Sequence, residues 1–377
     1  MKIILIGNYA GDRQESMSRY STALRDNLIK NEVEVEIIKP ISFFAPHNKI
    51  TTHGIHKWLG YIDKYIVFSI ILRIKVLQEL KKKEDVFFHI CDHSNSMYLN
   101  MLPNNRSGIT CHDVLAIQGA LGFEGTYCSA SRTGKILQNW ILKNLKKARI
   151  LSAVSHNTMD HLVQLCGNVN GVNTNWRVIH NSFNSNFFPM DKSESKKLLK
   201  TINFPRDPFI LHVGSALPRK NRSLLLKMVN ALGDKWKGNI CFAGAPLEEE
   251  LSKIIKNMDI GNRVTSVPRP DHHTLVALYS SCEAFIFPSF SEGFGWPLIE
   301  AQACGAPILA SSIPTSHEIG GEAAIYADPN NPEEFADAFM KIIQTKKKEE
   351  LISLGFENCK RFDNQKLTKD FIELYQK

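Results

Sequence analysis

The segment that most constrains this chain runs from Ala284 to Ala310, AFIFPSFSEGFGWPLIEAQACGAPILA. It opens with a short apolar and aromatic run, Ala284–Pro288, which is typical of a buried parallel strand. Pro297 stands where a helix begins, because the missing amide of proline costs nothing in the first turn. Gly305 stands where that helix should end, and a second strand starts at Pro307–Ala310. The pattern therefore predicts strand, tight loop, helix, turn and strand.

Two glutamates lie at defined places in this unit. Glu292 is in the loop at the mouth of the helix, and Glu300 is one to two turns inside it. Free amide groups at a helix start attract phosphate, and Gly293 and Gly295 allow the backbone to approach a ligand closely. Glu292 could accept hydrogen bonds from sugar hydroxyls, and Glu300 could hold a ribose diol. The spacing taken alone favours an ordinary αβ unit that carries two surface glutamates, and only its combination with the glycines, Pro297 and the flanking strands favours a ligand site.

The stretch SEGFGWPLIEAQACGAPILAS closely resembles the signature of retaining glycosyltransferases of family 4, the glycosyl transferases group 1. That family has the α/β fold called GT-B, in which two Rossmann-like parallel-sheet domains face a central cleft. The resemblance implies that Glu292 contacts the transferred sugar and that Glu300 binds the ribose. It also implies that the loop and first helical turn meet the donor sugar and phosphate through Gly293, Phe294, Gly295, Pro297 and Leu298.

The second domain is predicted to open with the strand Phe209–Val213, followed by Gly214 and Ser215. Cations before a helix start suit a diphosphate leaving group, and Lys220 matches the family's diphosphate lysine. Many members carry arginine directly after this glycine, where Ser215 stands here. Arg219 could replace that arginine or point to solvent, and the sequence leaves both open. The resemblance further implies that the backbone around Val267 holds the nucleobase.

The first domain begins with a βαβ pattern of strand Lys2–Gly7, loop Asn8–Ser18, a helix to Lys30 and strand Val33–Ile38. The loop lacks the G-x-G-x-x-G pattern, so neither a nicotinamide nor a flavin is supported, and we expect no cofactor. Gly11, with the small residues Ser16 and Ser18, lies where the family has a glycine-rich loop beside the donor phosphates.

His112 and Asp113 end the predicted strand Gly108–Cys111. A histidine at the carboxyl end of a parallel strand lies where α/β folds bind ligands. The resemblance implies that His112 lines the sugar pocket, whereas the sequence alone is equally compatible with a structural histidine. Asp113 is expected to orient or to cap.

With 377 residues, the chain is long enough for two domains. We expect an acceptor-binding domain over 1–183, a nucleotide-sugar domain over 184–358 and a helix over 359–377 that returns to the first domain. Eight scattered cysteines without a C-x-x-C pair disfavour a disulfide framework and favour a cytoplasmic location. The opening MKIILIGN is predicted to be a strand rather than a signal peptide.

The formal charge of +8 is unevenly distributed. Residues 1–183 hold 22 Lys and Arg against 14 Asp and Glu, whereas residues 184–377 hold 24 of each. The basic half is either a solvated surface or the partner of an anionic membrane or lipid-linked diphosphate at the inner face of the membrane. No recognition motif supports nucleic acid as a partner.

Residues 55–84 are predicted to be helical, because apolar side chains step at three and four from Ile55 to Ile66. Beyond Ile66 the segment is apolar on most sides and ends in Lys81–Lys83. Two interpretations remain open: a helix or helix pair that covers the core, and a basic, aromatic face that rests on a membrane.

Together, these features predict a retaining transferase that moves a hexose from a UDP- or GDP-linked sugar to a hydroxyl of a glycan or lipid-linked acceptor. Because no Asp-x-Asp occurs, we expect the reaction to need no metal. Glu292, His112 and Lys220 are the predicted catalytic residues. The alternatives are a non-catalytic nucleotide-sugar-binding protein, another GT-B enzyme such as an epimerase or phosphorylase, and a peripheral membrane scaffold.

Overall fold

The computed structural model describes residues 1–46, 50–51, 54–82, 85–167, 174–205 and 208–376. Contacts divide the chain into two compact units. Unit 1 comprises Met1–Glu124, Cys128–Asn184 and Asn364–Lys377, and unit 2 comprises Gly125–Tyr127 and Ser185–Asp363.

Unit 1 is built on a six-stranded parallel sheet in the order β2-β1-β3-β4-β5-β6. The central strands are buried on both faces, as a parallel sheet covered by helices requires. In chain order the elements are β1 Lys2–Ile6, α1 Glu15–Lys30, β2 Glu34–Ile38, α2 Gly54–Ile62, α3 Phe68–Lys81, β3 Val86–Ile90, β4 Ser107–Cys111, α4 Leu115–Leu121, α5 Arg132–Leu145, β5 Ile150–Ala153, α6 His156–Cys166 and β6 Asn175–Val178.

Unit 2 repeats this architecture with a parallel sheet in the order β12-β11-β10-β7-β8-β9. Its elements are α7 Lys192–Thr201, β7 Phe209–Gly214, α8 Ser223–Leu232, β8 Asn239–Gly244, α9 Glu249–Asn257, β9 Val264–Pro268, α10 His272–Ser281, β10 Ala284–Phe287, α11 Trp296–Ala303, β11 Ile308–Ser311, α12 Pro314–Gly320, β12 Ala324–Ala327, α13 Pro332–Ile342 and α14 Thr345–Cys359. The two sheets confirm the prediction of two Rossmann-like domains.

The strand orders define a switch point in each sheet. In unit 1, β1 and β3 are neighbours, but the connection after β1 leads to β2 on one side and the connection after β3 leads to β4 on the other. In unit 2, the connections after the neighbours β7 and β10 lead in the same way to β8 and β11 on opposite sides. Loops that follow the two strands at such a point diverge to opposite faces and leave a crevice at the carboxyl edge, where ligands bind in open α/β sheets. Ligand sites are therefore expected after β1 and β3 and after β7 and β10.

The first loop is shorter than the sequence predicted. A 3-10 turn, Ala10–Asp12, follows β1, and Arg13 adopts a left-handed conformation with φ of 50°. Because this turn reverses the chain at once, α1 already begins at Glu15. Ser16 and Ser18 therefore belong to the helix and not to the loop, which corrects the expectation that they lie in it.

The predicted helical segment 55–84 forms α2 and α3, joined by one π-helical turn, Asp63–Val67; residues 83–84 lie outside the described residues. One side of α3 is buried in the core of unit 1 through Phe68, Leu72 and Val76. The expectation of a core-covering helix pair is thus confirmed for that side. None of the described helices combines the length and the apolar character needed to cross a bilayer.

The last helix, α15 (Asn364–Glu373), belongs to unit 1, where it packs against α1. The chain after it is anchored by Tyr375, whose hydroxyl lies 2.5 Å from Nδ1 of His89 on β3. The side-chain amide of Asn175 also donates to the Leu374 carbonyl at 2.8 Å. The C-terminal segment is therefore tied to the sheet of unit 1.

We expect Gly108→Ala to loosen this anchor. A Cβ at Gly108 on β4 would lie 2.4 Å from the Tyr375 hydroxyl and 3.0 Å from Ile150. Overpacking of this kind costs about 1–3 kcal/mol of unfolding free energy, measurable by urea denaturation. Faster amide exchange over α15 should accompany the loss. The control is Gly134→Ala in α5, where the nearest atom to the new Cβ is at 3.3 Å; equal destabilisation by both changes would contradict the anchor.

Candidate functional site

The signature segment folds as its sequence predicts. The loop after β10 ends at Gly295, which caps α11 with φ of 92°, a conformation that favours glycine, and Pro297 lies in the first turn. At the other end, Gly305 is left-handed with φ of 74°, and the Ala306 amide donates back to the Ala301 carbonyl at 2.9 Å. The predicted order of strand, loop, helix, turn and strand is confirmed.

The loops that follow β7 and β10 meet at the switch point of unit 2. The amide of Phe290 donates to the Arg219 carbonyl at 2.8 Å. Asn221 is left-handed with φ of 49°, and its side-chain amide donates to the carbonyls of Pro288 at 3.1 Å and Pro329 at 2.8 Å. These bonds fix the cationic turn Pro218–Lys220 against the loop that carries Glu292.

Three charged side chains converge where these loops meet, and we call them the Glu292 cluster: Glu292, Lys220 and Arg219. Lys220 Nζ lies 2.5 Å from Oε1 of Glu292, and an Arg219 guanidinium nitrogen lies 2.7 Å from Oε2. Glu292 and Lys220 are buried, and Arg219 is largely buried. The structure thus brings Arg219 into the site rather than into solvent, which the sequence had left open.

The electrostatics of the cluster keep Glu292 ionised. Burial alone would raise the pKa of its carboxyl, but the charges of Lys220 and Arg219 outweigh burial and lower that pKa to about 2. Two cations face one carboxylate, so the cluster carries a surplus of positive charge in a place where water screens poorly. An anion with several oxygens, such as a diphosphate, complements that surplus.

Glu300 lies inside α11, buried, as its sequence position predicted. Its Oε2 accepts a hydrogen bond from the Tyr279 hydroxyl on α10 at 3.1 Å. Burial, and secondarily the charge of Glu300, raises the pKa of Tyr279 well above its ordinary value, so the phenol stays protonated and donates. The tyrosine thereby orients the carboxylate.

At the carboxyl ends of β7, β8 and β9, backbone atoms rather than large side chains line the edge of the sheet. Gly214 pairs with Gly244, and Gly244 pairs with Pro268, at the ends of the three strands. Gly244 has φ of 109°, and a Cβ there would lie 2.6 Å from the Gly214 carbonyl oxygen. Ser215 is exposed directly after β7, and Val267 is half-buried at the end of β9. These predicted donor-binding positions therefore share one edge of the sheet.

His112 follows β4 in unit 1 and is buried. Its Nε2–H donates to the Cys91 carbonyl at 2.9 Å, and the edge of its ring packs against Tyr20 with 4.6 Å between centroids. Burial lowers the pKa of His112, and the negative charge of Asp92 offsets only part of that effect. The imidazole is therefore neutral at pH 7, so it can form a hydrogen bond with a ligand without adding a positive charge to the site.

Asp92 follows β3 next to His112 and is held by its neighbours. The Asn8 side-chain amide donates to it at 2.5 Å, and the Ser94 amide donates at 2.9 Å. Burial would raise the pKa of this carboxyl, but His93, His112 and these hydrogen bonds lower it. Asn8 follows β1, so the bond joins the two loops of the unit 1 switch point.

Gly11 lies in the turn after β1. A Cβ on Gly11 would come within 2.8 Å of the Tyr9 ring and 2.9 Å of the Thr51 hydroxyl, and its carbonyl accepts from the Thr51 amide at 3.0 Å. The close packing of this turn is sufficient to require glycine. The resemblance assigned Gly11 to the donor phosphates, and that assignment stays a prediction.

A cavity of about 290 Å³ opens at the same switch point of unit 1. Two aromatic side chains, Tyr61 and Tyr65, line it together with Lys64 and Asp12. Lys64 Nζ lies 2.7 Å from the Asp12 carboxylate and 5.0 and 5.5 Å from the two ring centroids. Aromatic faces beside fixed polar groups are suited to a sugar, because the ring C–H groups pack and the hydroxyls bond.

Sequence reasoning missed two side chains that orient the predicted site. Tyr279 bonds Glu300, and the hydroxyl of Thr315, in the first turn of α12, donates to the Glu292 carbonyl at 2.9 Å. Both lie in other helices, 21 and 23 residues away from the glutamates that they contact. In the sequence each looks like an ordinary helical residue, so no local pattern indicates it.

Residues 194–354 match the family model of the glycosyl transferases group 1. The matched segment lies in unit 2 and contains the Glu292 cluster and all of α11. Over this segment the chain is similar to the glycosyl transferases group 1, and the resemblance of its signature is confirmed.

Curated relatives show the same relationship at low identity. The chain is 26% identical over 237 residues to the O-antigen chain mannosyltransferase RfbU of Salmonella typhimurium, covering 63% of this chain and 60% of the relative. It is 24% identical over 196 residues to the N,N'-diacetylbacillosaminyl-diphospho-undecaprenol alpha-1,3-N-acetylgalactosaminyltransferase of Campylobacter jejuni, covering 51% of this chain and 51% of the relative. The chain thus spans little more than half the length of these relatives.

The fold itself has solved counterparts. The crystal structure of Anabaena Alr3699/HepE in complex with UDP and glucose has a TM-score of 0.71 at 16% identity, covering 99% of this chain and 98% of that chain. At this identity the likeness shows the fold alone, which is the predicted GT-B fold with two Rossmann-like domains.

Proposed function

We propose that this protein is a retaining glycosyltransferase of family 4. It transfers a hexose from a UDP- or GDP-linked sugar to a hydroxyl of a glycan or lipid-linked acceptor. The observation that carries the proposal is the Glu292 cluster at the switch point of unit 2, inside the segment that matches the group 1 family.

Lys220 and Arg219 stabilise the departing nucleoside diphosphate. As the bond between the anomeric carbon and the diphosphate oxygen breaks, negative charge accumulates on the diphosphate. The two fixed cations stabilise that charge. A charge-assisted hydrogen bond of this kind contributes about 1.5–3 kcal/mol, and fixed charges in a dry site cost no reorganisation during the reaction. The acceptor oxygen bonds to the same face of the anomeric carbon, and its proton passes to the diphosphate oxygen.

Glu292 has two roles in this scheme. Without donor it pairs with both Lys220 and Arg219 and offsets one of their two charges, which lowers the cost of burying these cations. When the diphosphate shares those cations, the carboxylate accepts hydrogen bonds from the hydroxyls of the transferred sugar. His112, which stays neutral at pH 7, supplies a further hydrogen-bonding group for that sugar.

Glu300 binds the ribose diol in this proposal, and Tyr279 orients it. We expect Glu300→Gln to raise the KM for the donor about 10- to 100-fold, because a hydrogen bond to a charged group contributes about 1.5–3 kcal/mol. Tyr279→Phe should raise KM less, because it removes only the orienting hydroxyl. In both variants kcat should change little, since the ribose does not react. Initial rates at varied donor concentration measure the two constants, and a fall in kcat with unchanged KM would contradict the assignment.

The acceptor binds unit 1, where the cavity beside Tyr61 and Tyr65 offers a site for a sugar. The names of the two relatives, one acting on the O-antigen chain and one on a diphospho-undecaprenol-linked sugar, favour a glycan or lipid-linked acceptor. We place the reaction in polysaccharide or glycoconjugate biosynthesis, in the cytoplasm at the inner face of the membrane. Because Lys220 and Arg219 supply the positive charge, we propose that turnover needs no divalent metal.

The test is a donor panel in the presence of a chelator. Purified protein is incubated with UDP- and GDP-linked hexoses, with and without polyprenyl-diphosphate sugars, and released nucleoside diphosphate is measured. We expect one donor to turn over, faster with acceptor, and proton NMR to show the anomeric configuration of the donor retained in the product. Strict dependence on inorganic phosphate, or conversion of the donor without an acceptor into an isomer, would support the rival phosphorylase or epimerase.

A further inference from the structure

The helix α3 is apolar on two opposite sides, and only one side is used inside the protein. With 100° per residue, Phe68, Leu72 and Val76 lie on the buried side. The opposite side exposes a row of aliphatic side chains within an arc of about 60°, which we call the α3 row: Ile70, Ile74 and Leu77. An exposed aliphatic row of this length marks a surface that a partner covers.

Aromatic side chains extend the apolar surface beside the start of α3. Trp58 on α2 is exposed, as are Phe43 and Phe44 in the loop after β2. That loop is held against the helix junction by Asp63, whose carboxylate accepts from the amides of Phe44 at 2.9 Å and Ala45 at 3.0 Å. The backbone that carries Phe44 is therefore held against the helical turn from which α3 starts. Exposed aromatic rings next to aliphatic groups are typical of surfaces that enter the interface of a bilayer.

The charged residues of α2 and α3 indicate which kind of partner this surface fits. Within residues 54–82 the acidic side chains are Asp63 and Glu79, and both are buried. Arg73, Lys81 and Lys82 are exposed on α3 and just after it. A surface that combines exposed apolar groups with cations, and exposes no carboxylate, complements an anionic bilayer.

We propose that the α3 row, with Trp58, Phe43 and Phe44, docks unit 1 on an anionic lipid bilayer. Its aliphatic and aromatic side chains enter the interface, and Arg73 and Lys81 contact anionic headgroups. The cavity lined by Tyr61 and Tyr65 belongs to the same helical segment, and the Trp58 and Tyr61 rings lie 5.7 Å apart. A lipid-linked acceptor could therefore present its sugar to the cavity while its chain stays in the bilayer; this last link rests on the proposed function.

The test is sedimentation of the full chain with vesicles of phosphatidylcholine, alone or mixed with phosphatidylglycerol. We expect binding to the mixed vesicles that weakens with salt. Ile70→Glu combined with Ile74→Glu should lower the partition coefficient about 100-fold, because two apolar anchors are lost and two negative charges are added. The matched control combines Ile29→Glu and Ile136→Glu, which change isoleucines of unit 1 that are 51% and 71% exposed, against 58% and 52% for the test pair.

A second pair of variants tests the charge. Arg73→Gln with Lys81→Gln should weaken binding to the mixed vesicles about 25-fold, or about fivefold for each charge, and leave binding to phosphatidylcholine alone unchanged. Both double variants should keep the wild-type release of nucleoside diphosphate from a soluble donor. Vesicle binding without donor turnover would refute the proposed function and support the docking surface.

Three outcomes would overturn the docking proposal. One is a protein that turns over its donor but binds neither type of vesicle. Another is equal loss of binding in the test and control isoleucine pairs. The third is a wild-type dimer in sedimentation velocity that the Ile70 and Ile74 changes convert to a monomer, because the α3 row would then be covered by a second copy of the chain.

Discussion

Lys220→Ala is expected to slow the release of nucleoside diphosphate about 100- to 1000-fold. Lys220 Nζ is a buried cation fixed 2.5 Å from Glu292 at the place where the leaving group gains charge. Removal of one preorganised donor from such a site typically costs about this factor in kcat. The measurement is the initial rate of nucleoside diphosphate release at saturating donor, with the KM determined separately.

The control for this prediction is Lys227→Ala. Lys227 lies on α8 after the same turn but is exposed, so its loss should leave the rate unchanged. Because Lys220→Ala also leaves Glu292 with one cation fewer, the variant is first compared with wild type by circular dichroism and urea unfolding. A folded Lys220→Ala protein with wild-type turnover would remove Lys220 from the leaving-group site.

Glu292→Gln is expected to remove one part of the stability that the protein loses in acid. The folded-state pKa of Glu292 is about 2, below its ordinary value of 4.5. A carboxyl with a lowered pKa stabilises the fold fully above its unfolded value and loses that contribution as the pH falls toward the folded value. For this buried carboxyl the contribution is about 3 kcal/mol, and it is lost between pH values of about 4.5 and 2.

Urea unfolding at pH 7 and pH 3 measures this effect. The two proteins should differ by about 3 kcal/mol at pH 7 and by much less at pH 3, where the wild type loses most of this contribution. Glu357→Gln is the control, because Glu357 pairs with Lys360 at 2.6 Å but both side chains are exposed; it should change stability little at either pH. A constant difference between wild type and Glu292→Gln at both pH values would contradict the ionised, cation-paired carboxylate.

The supersecondary structure of unit 2 could be predicted because its local signals agree. Pro297 and Gly305 stand where a helix accepts a first-turn proline and a left-handed stop, so the order of elements follows from adjacent residues. The loop after β1 shows the opposite case. No local signal marked the turn at Ala10–Asp12, and the start of α1 was placed after Ser18 instead of at Glu15.

The side-chain partners of the site could not be predicted in the same way. Arg219 precedes Lys220 in a turn, and only the approach of the β10 loop, 72 and 73 residues later, decides that its guanidinium meets Ser291 and Glu292. The helix α3, which is apolar on two opposite sides, shows a second limit of prediction from sequence. Its sequence shows that apolar residues surround the helix, but only the packing of Phe68 and Leu72 reveals which side remains exposed.

The most direct test of the central claim, that the Glu292 cluster binds the diphosphate of a nucleotide-sugar, is calorimetric titration in the presence of a chelator. Wild type and Lys220→Ala are each titrated with UDP, GDP and the corresponding monophosphates. The account predicts that one nucleoside diphosphate binds wild type at least about 10-fold more tightly than its monophosphate, and that Lys220→Ala removes this preference. Equal affinity for diphosphate and monophosphate in wild type, or a preference that survives in Lys220→Ala, would contradict it.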